Sequence, residues 1–397
     1  MKRSTDLAPV TYPPATMALG VFIAAAALVL MGVQPILVGF YSDHLQLNLS
    51  QNGWVLASEQ LGGAVGALFG YWIATRMRWT YSIVGACVLA AGINIATAYA
   101  ADVGQLIAAR FISGLTSTVA YTVAIYFLAH SSKPDRMFGL LMILQTAFFS
   151  IDAMILPLIN AHYGYIVAIG SAIAWFAAAS VAAFWLPPGP QGAGPSAALR
   201  TDGETVRPLV GATALLGAFL LQLSIFAVWG FLERIGRSNG LSDVQIGYGL
   251  GIGVLGGIPG GLFPALAGER FGRLSMIALS AVILVASYVA LGRTLNLTTY
   301  TLWITILNVG WVLGLTYYMG LTVAHDPDGR LTRLIPFSQI LSAAAGPACS
   351  ALAIGGDRLS PIFVVASVSV TLGLAAIYAA NSLTARLENI RRGRVTL

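Results

Sequence analysis

The segment LGGAVGALFG, Leu61–Gly70, returns 194 residues later as LGGIPGGLFP, Leu255–Pro264. Six of the ten positions are identical. One glycine-rich match arises easily by chance. The same offset also relates Arg76 to Arg270, Arg136 to Arg330 and Gln145 to Gln339. Four features at one spacing imply a chain built by tandem duplication. The glycines say what is repeated. Gly62, Gly66 and Gly70 stand four apart, as do Gly256 and Gly260, which places each set on one helix face. In apolar helices such small-xxx-small spacing lets neighbours approach closely and slide.

The surrounding composition supplies the solvent. Of 397 residues, 57% are hydrophobic and 9% are charged, against about 25% charged in soluble domains. A soluble enzyme, a nucleic-acid binder and a disordered chain are excluded. A polytopic membrane protein remains. Lipid offers no partner to backbone N–H and C=O groups, so only helices or a closed barrel can span. The apolar runs are nearly continuous rather than alternating, which is the helix signature. Twelve spans are expected, at 14–41, 52–74, 81–100, 105–129, 138–160, 164–186, 209–232, 244–268, 274–292, 298–323, 334–355 and 360–385.

The 21 basic residues sort by side. Sixteen fall with the termini: Lys2, Arg3, Arg76, Arg78, Lys133, Arg136, Arg200, Arg207, Arg270, Arg273, Arg330, Arg333, Arg386, Arg391, Arg392 and Arg394. Four fall opposite, at Arg234, Arg237, Arg293 and Arg358, and Arg110 lies inside a span. The positive-inside rule then puts both termini in the cytoplasm. The basic excess reports topology, not a nucleic-acid partner. Residues 187–208, PPGPQGAGPSAALRTDGETVRP, read as a cytoplasmic linker between two six-helix bundles, 1–186 and 209–397. The fold class is all-α, with the bundles related by a pseudo-two-fold axis along the membrane normal. The polar first thirteen residues carry no cleavable signal pattern.

With these features the sequence resembles the major facilitator superfamily of secondary transporters, over its whole length. The loop after span 8, Ala265-Leu-Ala-Gly-Glu269-Arg270-Phe-Gly272-Arg273, is similar to the family's G-x-x-x-D-R-x-G-R signature, with Ala and Glu as departures. The first half keeps only the arginine, in Thr75-Arg76-Met77-Arg78-Trp79. Arg110-Phe-Ile-Ser-Gly114 in span 4 is similar to the family's R-x-x-x-G. Span 5 lacks the G-x-x-x-G-P motif of drug exporters, although Gly346-Pro347 stands in span 11. The resemblance implies alternating access, with spans 1, 4, 7 and 10 lining a central cavity. It makes Glu269, Arg270, Arg273 and Arg76 gating candidates, with Glu269 as a latch.

An ionisable group in hydrocarbon costs roughly 2.5–3.5 kcal/mol, so it is a functional candidate by default. Glu59, Arg110 and Asp152 lie well inside spans at similar depth, in the outer half of the first bundle, where all three could meet. Two acids sharing one guanidinium suit proton coupling: one pairs while the other titrates. A static ion pair that fixes packing is the alternative. Polar and aromatic residues also form stripes at helical spacing. Span 4 carries Arg110, Ser117 and Tyr121. Span 7 carries Gln222, Phe226, Trp229 and Glu233, the last a third acid candidate. Span 10 carries Asn308, Trp311 and Tyr318, and span 5 carries Gln145, Phe149 and Asp152. Gln34 precedes Pro35, where a helix break would expose backbone carbonyls. The expected substrate contacts are Arg110, Gln34, Tyr121, Gln145, Gln222, Trp229, Asn308, Trp311, Tyr318 and Gln339. Core packing, or an aromatic belt at the interface, is the alternative for each.

Other motifs fail on context. Gly251-Ile-Gly253-Val-Leu-Gly256 fits G-x-G-x-x-G but lies inside an apolar helix, not after a strand. No P-loop lysine is present. His44, His130, His162 and His325 lack metal-ligand spacing. Cys87 and Cys349 lie in apolar runs and form no disulfide framework. No cofactor or metal is expected. The reading is a monomeric, proton-coupled symporter of a bacterial inner membrane, taking up a small organic solute. An organic or aromatic acid anchored on Arg110 is the first expectation. A proton-driven exporter of drugs or siderophore-like compounds is the rival, with a non-transporting sensor or intramembrane enzyme behind it. Besides solute, protons and lipid, no partner is expected.

Overall fold

The computed structural model describes residues 12–130, 134–189, 207–326, 330–356 and 358–395. Of the expected linker, residues 190–206 lie outside this set, as do Lys2, Arg3, Lys133 and Arg200. The chain forms two compact units, one of Met1–Gln46 and Ser58–Ala197, the other of Leu47–Ala57 and Ala198–Leu397. Residues 47–57, which sequence order puts in the first half, therefore group with the second unit. There Ser50 donates to the Ala351 carbonyl at 2.9 Å.

The first unit opens with a helix in three pieces: α1 (Pro14–Ala27), α2 (Val29–Gly32) and α3 (Gln34–Leu45). It continues with α4 (Leu49–Ala74), α5 (Trp79–Ala98) and α6 (Val103–Ala129). Then follow α7 (Pro134–Tyr163), α8 (Tyr165–Gly170) and α9 (Ala172–Ala183). The second unit runs α10 (Pro208–Trp229), α11 (Leu232–Ser238), α12 (Asp243–Val254), α13 (Gly257–Ala267) and α14 (Arg273–Leu291). It ends with α15 (Leu297–Ala324), α16 (Ile335–Ala353) and α17 (Ser360–Val395). Among the described residues, nine stretches are long and apolar enough to cross a membrane by length and composition. The other three expected spans correspond to α1–α3, α4 and α16. Span 7 is shorter than expected. It ends at Trp229, so Glu233 belongs to the separate short helix α11.

The 194-residue register runs through the architecture. Four pairs of helix starts keep it: Pro14 and Pro208, Leu49 and Asp243, Trp79 and Arg273, Val103 and Leu297. Both Pro14 and Pro208 open helices, where the missing N–H has no intrahelical acceptor to lose. The caps match as well. Asp102 accepts from the Gln105 N–H and Asn296 from the Thr299 N–H, each at 2.9 Å. Packing partners recur too. α1 contacts α6, α7 and α9, and α10 contacts α15, α16 and α17. Likewise α5 contacts α6 and α9, and α14 contacts α15 and α17.

The glycines that revealed the repeat sit at its tightest crossings. A Cβ on Gly62 would run into the Phe111 carbonyl, and one on Gly66 into the Leu115 carbonyl. In the second unit, Gly256 meets the Thr305 carbonyl and Gly260 meets the Val309 backbone in the same way. All four contacts keep the offset. Lipid gives no hydrophobic drive to helix association, so such backbone-to-backbone approach supplies it through dispersion. Gly66→Ala and Gly260→Ala should each destabilise by about 1–3 kcal/mol through overpacking. Gly85→Ala, at a site open to 4 Å, should not. Thermal unfolding of the purified protein in detergent checks this, and equal midpoints for all three variants would contradict it.

Candidate functional site

The break between α2 and α3 creates the site in the first unit. Leu28 and Val33 leave helical geometry, with ψ of 9° and 13°. Pro35 then opens α3 without an N–H to donate. Gly32 stands at the break because the Phe149 ring of α7 lies where its Cβ would be. This places Gln34 at the start of α3, buried and facing α4. Its amide Nε2 donates to Oε2 of Glu59 at 3.0 Å, and its Oε1 accepts from Nε2 of Gln60, also at 3.0 Å.

From the other side comes Arg110 of α6, fully buried. Its Nη2 donates to Oε1 of Glu59 in a close ion pair. Its Nη1 donates to Oδ1 of Asn94 at 2.7 Å. The Asn94 amide in turn donates to the Ala90 carbonyl at 2.7 Å and the Ser113 hydroxyl at 3.2 Å. The guanidinium also lies 5.7 Å from the centre of the Tyr41 ring, within cation–π reach. The spacing Arg110-x-x-x-Gly114 explains how the pair forms. A Cβ on Gly114 would strike the Glu59 carbonyl, so the glycine brings α4 in close one turn from the arginine. Buried charges need partners on every side, and breaking such a pair costs more than the pair itself contributes.

The repeat supplies a comparison within the chain. The positions equivalent to Glu59 and Arg110 are Gly253 and Ile304. There a Cβ on Gly253 would meet the Ile304 side chain. One crossing, built twice, is ionic in the first unit and apolar in the second.

Asp152 corrects an expectation. It does not join the ion pair. Its carboxylate accepts from Nε1 of Trp175 in α9 at 3.2 Å, beside the Phe148–Trp175 ring contact. Similar depth along the helix does not decide direction, and α7 turns Asp152 towards α9. Glu233, the third acid candidate, stands apart from that pair as well. It is buried between Arg234 at 2.9 Å and Arg237 at 2.8 Å, and Arg237 reaches Asp243 at 2.5 Å.

In the second unit, two of the stripes converge. Nε1 of Trp311 donates to Oε1 of Gln222 at 2.8 Å. Phe226 stands edge-on to Trp311 at 5.9 Å, and Trp229 lies 6.4 Å away. The remaining candidates are placed singly. Asn308 is buried and donates to the Ile304 carbonyl of its own helix at 2.9 Å. Tyr318 is buried against Gly217, where a Cβ would strike its ring. Gln339 donates to the Met319 sulfur at 3.2 Å. Tyr121 and Gln145 are half-buried. The gating candidates make local contacts. Arg273 pairs with Glu269 one turn away, Arg76 lies 5.3 Å from the Trp72 ring, and Arg270 is exposed.

Nη1 and Nη2 of Arg110 each spend one N–H, on Asn94 and Glu59, while Nε is buried with no hydrogen-bond partner among the described residues. The guanidinium expected to anchor an organic acid is thus tied to an internal carboxylate that balances its charge. Gln60 and Asn94 were missed in the sequence, although both are amides inside apolar runs and carried the same signal as Gln34. Arg110→Met leaves Glu59 buried without its cation and should destabilise by about 3–5 kcal/mol. The double variant Glu59→Gln, Arg110→Met removes both charges and should recover most of that loss. Unfolding midpoints of the two proteins test it, and a double variant no more stable than the single would contradict it.

The model of the Major Facilitator Superfamily matches residues 17–346. Over 129 residues the chain is 33% identical to the arabinose-proton symporters of Escherichia coli strains K12 and O157:H7. That alignment covers 30% of this chain and 27% of those proteins, so the chain spans about a quarter of the length of the curated relatives it matches. Solved structures align over nearly all of it. An auto-inhibited POT family peptide transporter gives a TM-score of 0.73 at 13% identity, covering 93% of this chain and 97% of that one. The POT family transporter PepTSo gives 0.71 at 14%, covering 94% and 98%. A bacterial homologue of the human lysosomal transporter Spinster, inward-facing and unoccupied, gives 0.65 at 12%, covering 92% and 95%. At these identities the likeness is one of fold. The apolar helices and the family match together establish that the chain belongs to the major facilitator superfamily and is a multi-pass membrane transporter, not an enzyme.

Proposed function

We propose that the protein is a proton-coupled symporter for a small, neutral, polar organic solute, with Glu59 as the coupling carboxylate. The observation that carries this is the buried Glu59–Arg110 pair within its cage of amides. An ionised Glu59 satisfies Arg110 and accepts from Gln34. Protonation removes the charge that holds the guanidinium. Arg110 must then find another acceptor, which loosens α6 from α4 at the glycine crossing. A carboxylate that can take a proton in hydrocarbon, tied to a cation that responds, is the minimum device for coupling. Asp152 is a second candidate acid, held by an indole rather than a cation.

The substrate class rests on the second unit. Phe226, Trp229 and Trp311 offer aromatic faces beside the Gln222 amide, the usual make-up of a small-molecule wall. With the Arg110 charge balanced by Glu59, a neutral solute suits this wall better than an anion. The match to the arabinose-proton symporters supports a sugar-like solute and a proton as co-substrate. The Lys/Arg distribution supports cytoplasmic termini in a bacterial inner membrane. A monomer is the simplest working unit.

The test is reconstitution into proteoliposomes with a panel of pentoses, hexoses and organic acids, with and without an imposed pH gradient. A neutral sugar should accumulate only with the gradient. Glu59→Gln should lose accumulation but keep exchange of labelled for unlabelled solute, because exchange needs no net proton movement. Accumulation by that variant at the wild-type level would refute the coupling assignment. Trp311→Ala should raise KM about tenfold, equivalent to about 1.4 kcal/mol. An unchanged KM would remove the aromatic wall from the binding surface. Extrusion of a panel compound by the wild type would turn the reading to export.

A further inference from the structure

Three rings lead away from the ion pair towards the end of α3. Tyr41 lies under the Arg110 guanidinium. Tyr165, the first residue of α8, is within electrostatic range of both Arg110 and Tyr41. His44, in the last turn of α3, stacks on Tyr165 with ring centres 4.1 Å apart and planes within 13°. His44 is exposed, whereas Tyr41 is buried. At about 1.5 Å per residue, Gln34 lies about 16 Å from the helix end at Leu45, Tyr41 about 6 Å, and His44 in the terminal turn. Along α3, Tyr41 and His44 thus stand between Gln34, which binds the carboxylate, and the helix end.

The hydroxyls of Tyr41 and Tyr165 are both buried and meet no hydrogen-bond partner among the described residues. Buried polar atoms are paired in nearly all proteins, and each phenol can both donate and accept. Two amphoteric hydroxyls, one of them on the ring that stacks with an exposed imidazole, have the make-up of a proton relay. An imidazole exchanges its proton readily near neutrality. The charged and titratable groups facing the column are Glu59 of α4, Arg110 of α6 and Asp43, the neighbour of His44 on α3. α7, also packed on α3, brings Asp152, held by Trp175, and His162, whose Nδ1 lies 2.9 Å from the Leu158 carbonyl.

We propose that His44, Tyr165 and Tyr41 form the route by which protons reach and leave Glu59. The inference rests on the coupling role given to Glu59 above. The protonated His44 imidazole releases a proton to water. Water and the two phenol hydroxyls pass it inward, each oxygen accepting one proton as it gives up another. The proton ends on the Glu59 carboxylate, which becomes a neutral acid and frees Arg110. Only N–H and O–H bonds break and form, and the relay is restored when the neutral His44 takes a proton from the surrounding water.

The test needs no transported solute. The full-length protein in lipid bilayers is taken by stopped flow from alkaline to acidic pH while infrared absorption follows the protonated-carboxyl band. Glu59→Gln identifies the Glu59 part of that band by removing it. In Tyr41→Phe, which keeps the ring over Arg110, the band should reach its wild-type amplitude about tenfold more slowly, the loss of a positioned proton-transfer group. Tyr165→Phe, which keeps the stack on His44, and His44→Gln should slow it likewise. Wild-type rates in all three variants would overturn the route while leaving Glu59 as the coupling acid. A changed amplitude at an unchanged rate would mark the rings as structural supports and also overturn it. If Glu59→Gln removes no band, the coupling reading fails, and the route with it.

Discussion

A charge in hydrocarbon is tolerable only when something of opposite sign is already there. In the first unit this constraint organises the interior. Arg110 is buried because Glu59 meets it, and Glu59 is buried because Arg110, Gln34 and the close glycine crossing enclose it. The amides of Gln60 and Asn94 then serve as outer supports, holding Gln34 and Arg110 in register. Even the interruption of the first helix belongs to this arrangement. A straight helix through Leu28 and Val33 would carry Gln34 round by a different angle and leave one carboxylate oxygen without its donor.

Helix packing here follows from small residues rather than from large apolar ones. Where lipid competes equally for every leucine, two helices stay together because their backbones touch. Gly62, Gly66 and Gly114 in the first unit, with Gly256 and Gly260 in the second, provide those contacts. Such crossings are also shallow. Little side-chain interdigitation has to be undone when one helix shifts along another. A transporter needs an interior that can rearrange, and glycine crossings allow it without leaving voids.

The sequence made the fold legible almost in full. Apolar length, the 194-residue register and the Lys/Arg asymmetry depend on position alone, and position is what a sequence records. The site was legible in kind but not in pairing. Glu59, Arg110 and Asp152 stood out because ionisable groups are rare in spans. That two of them meet while the third turns to Trp175 depends on helix rotation, which depth estimates do not contain. Glu233 was misread because Gly230-Phe231 ends the helix one turn early and hands the acid to Arg234 and Arg237. The pairing bears on the organic-acid expectation too: an arginine in a sequence carries no sign that its charge is already balanced by a buried carboxylate.

The duplication answers a question that a single buried ion pair leaves open. Such a pair is weak support for stability, since apolar residues of like size often do as well or better. Here the comparison lies inside the chain. The second unit builds the same crossing with Gly253 and Ile304 at the equivalent positions, the glycine seated against the isoleucine side chain. The crossing therefore does not require charge in order to pack. The glycines do the same work in both repeats, so they are the packing element. What the first unit adds, an acid, a guanidinium and four supporting side chains, is an addition to a fold that stands without it. Packing alone therefore does not account for it, and that is the ground on which a coupling role for Glu59 is proposed.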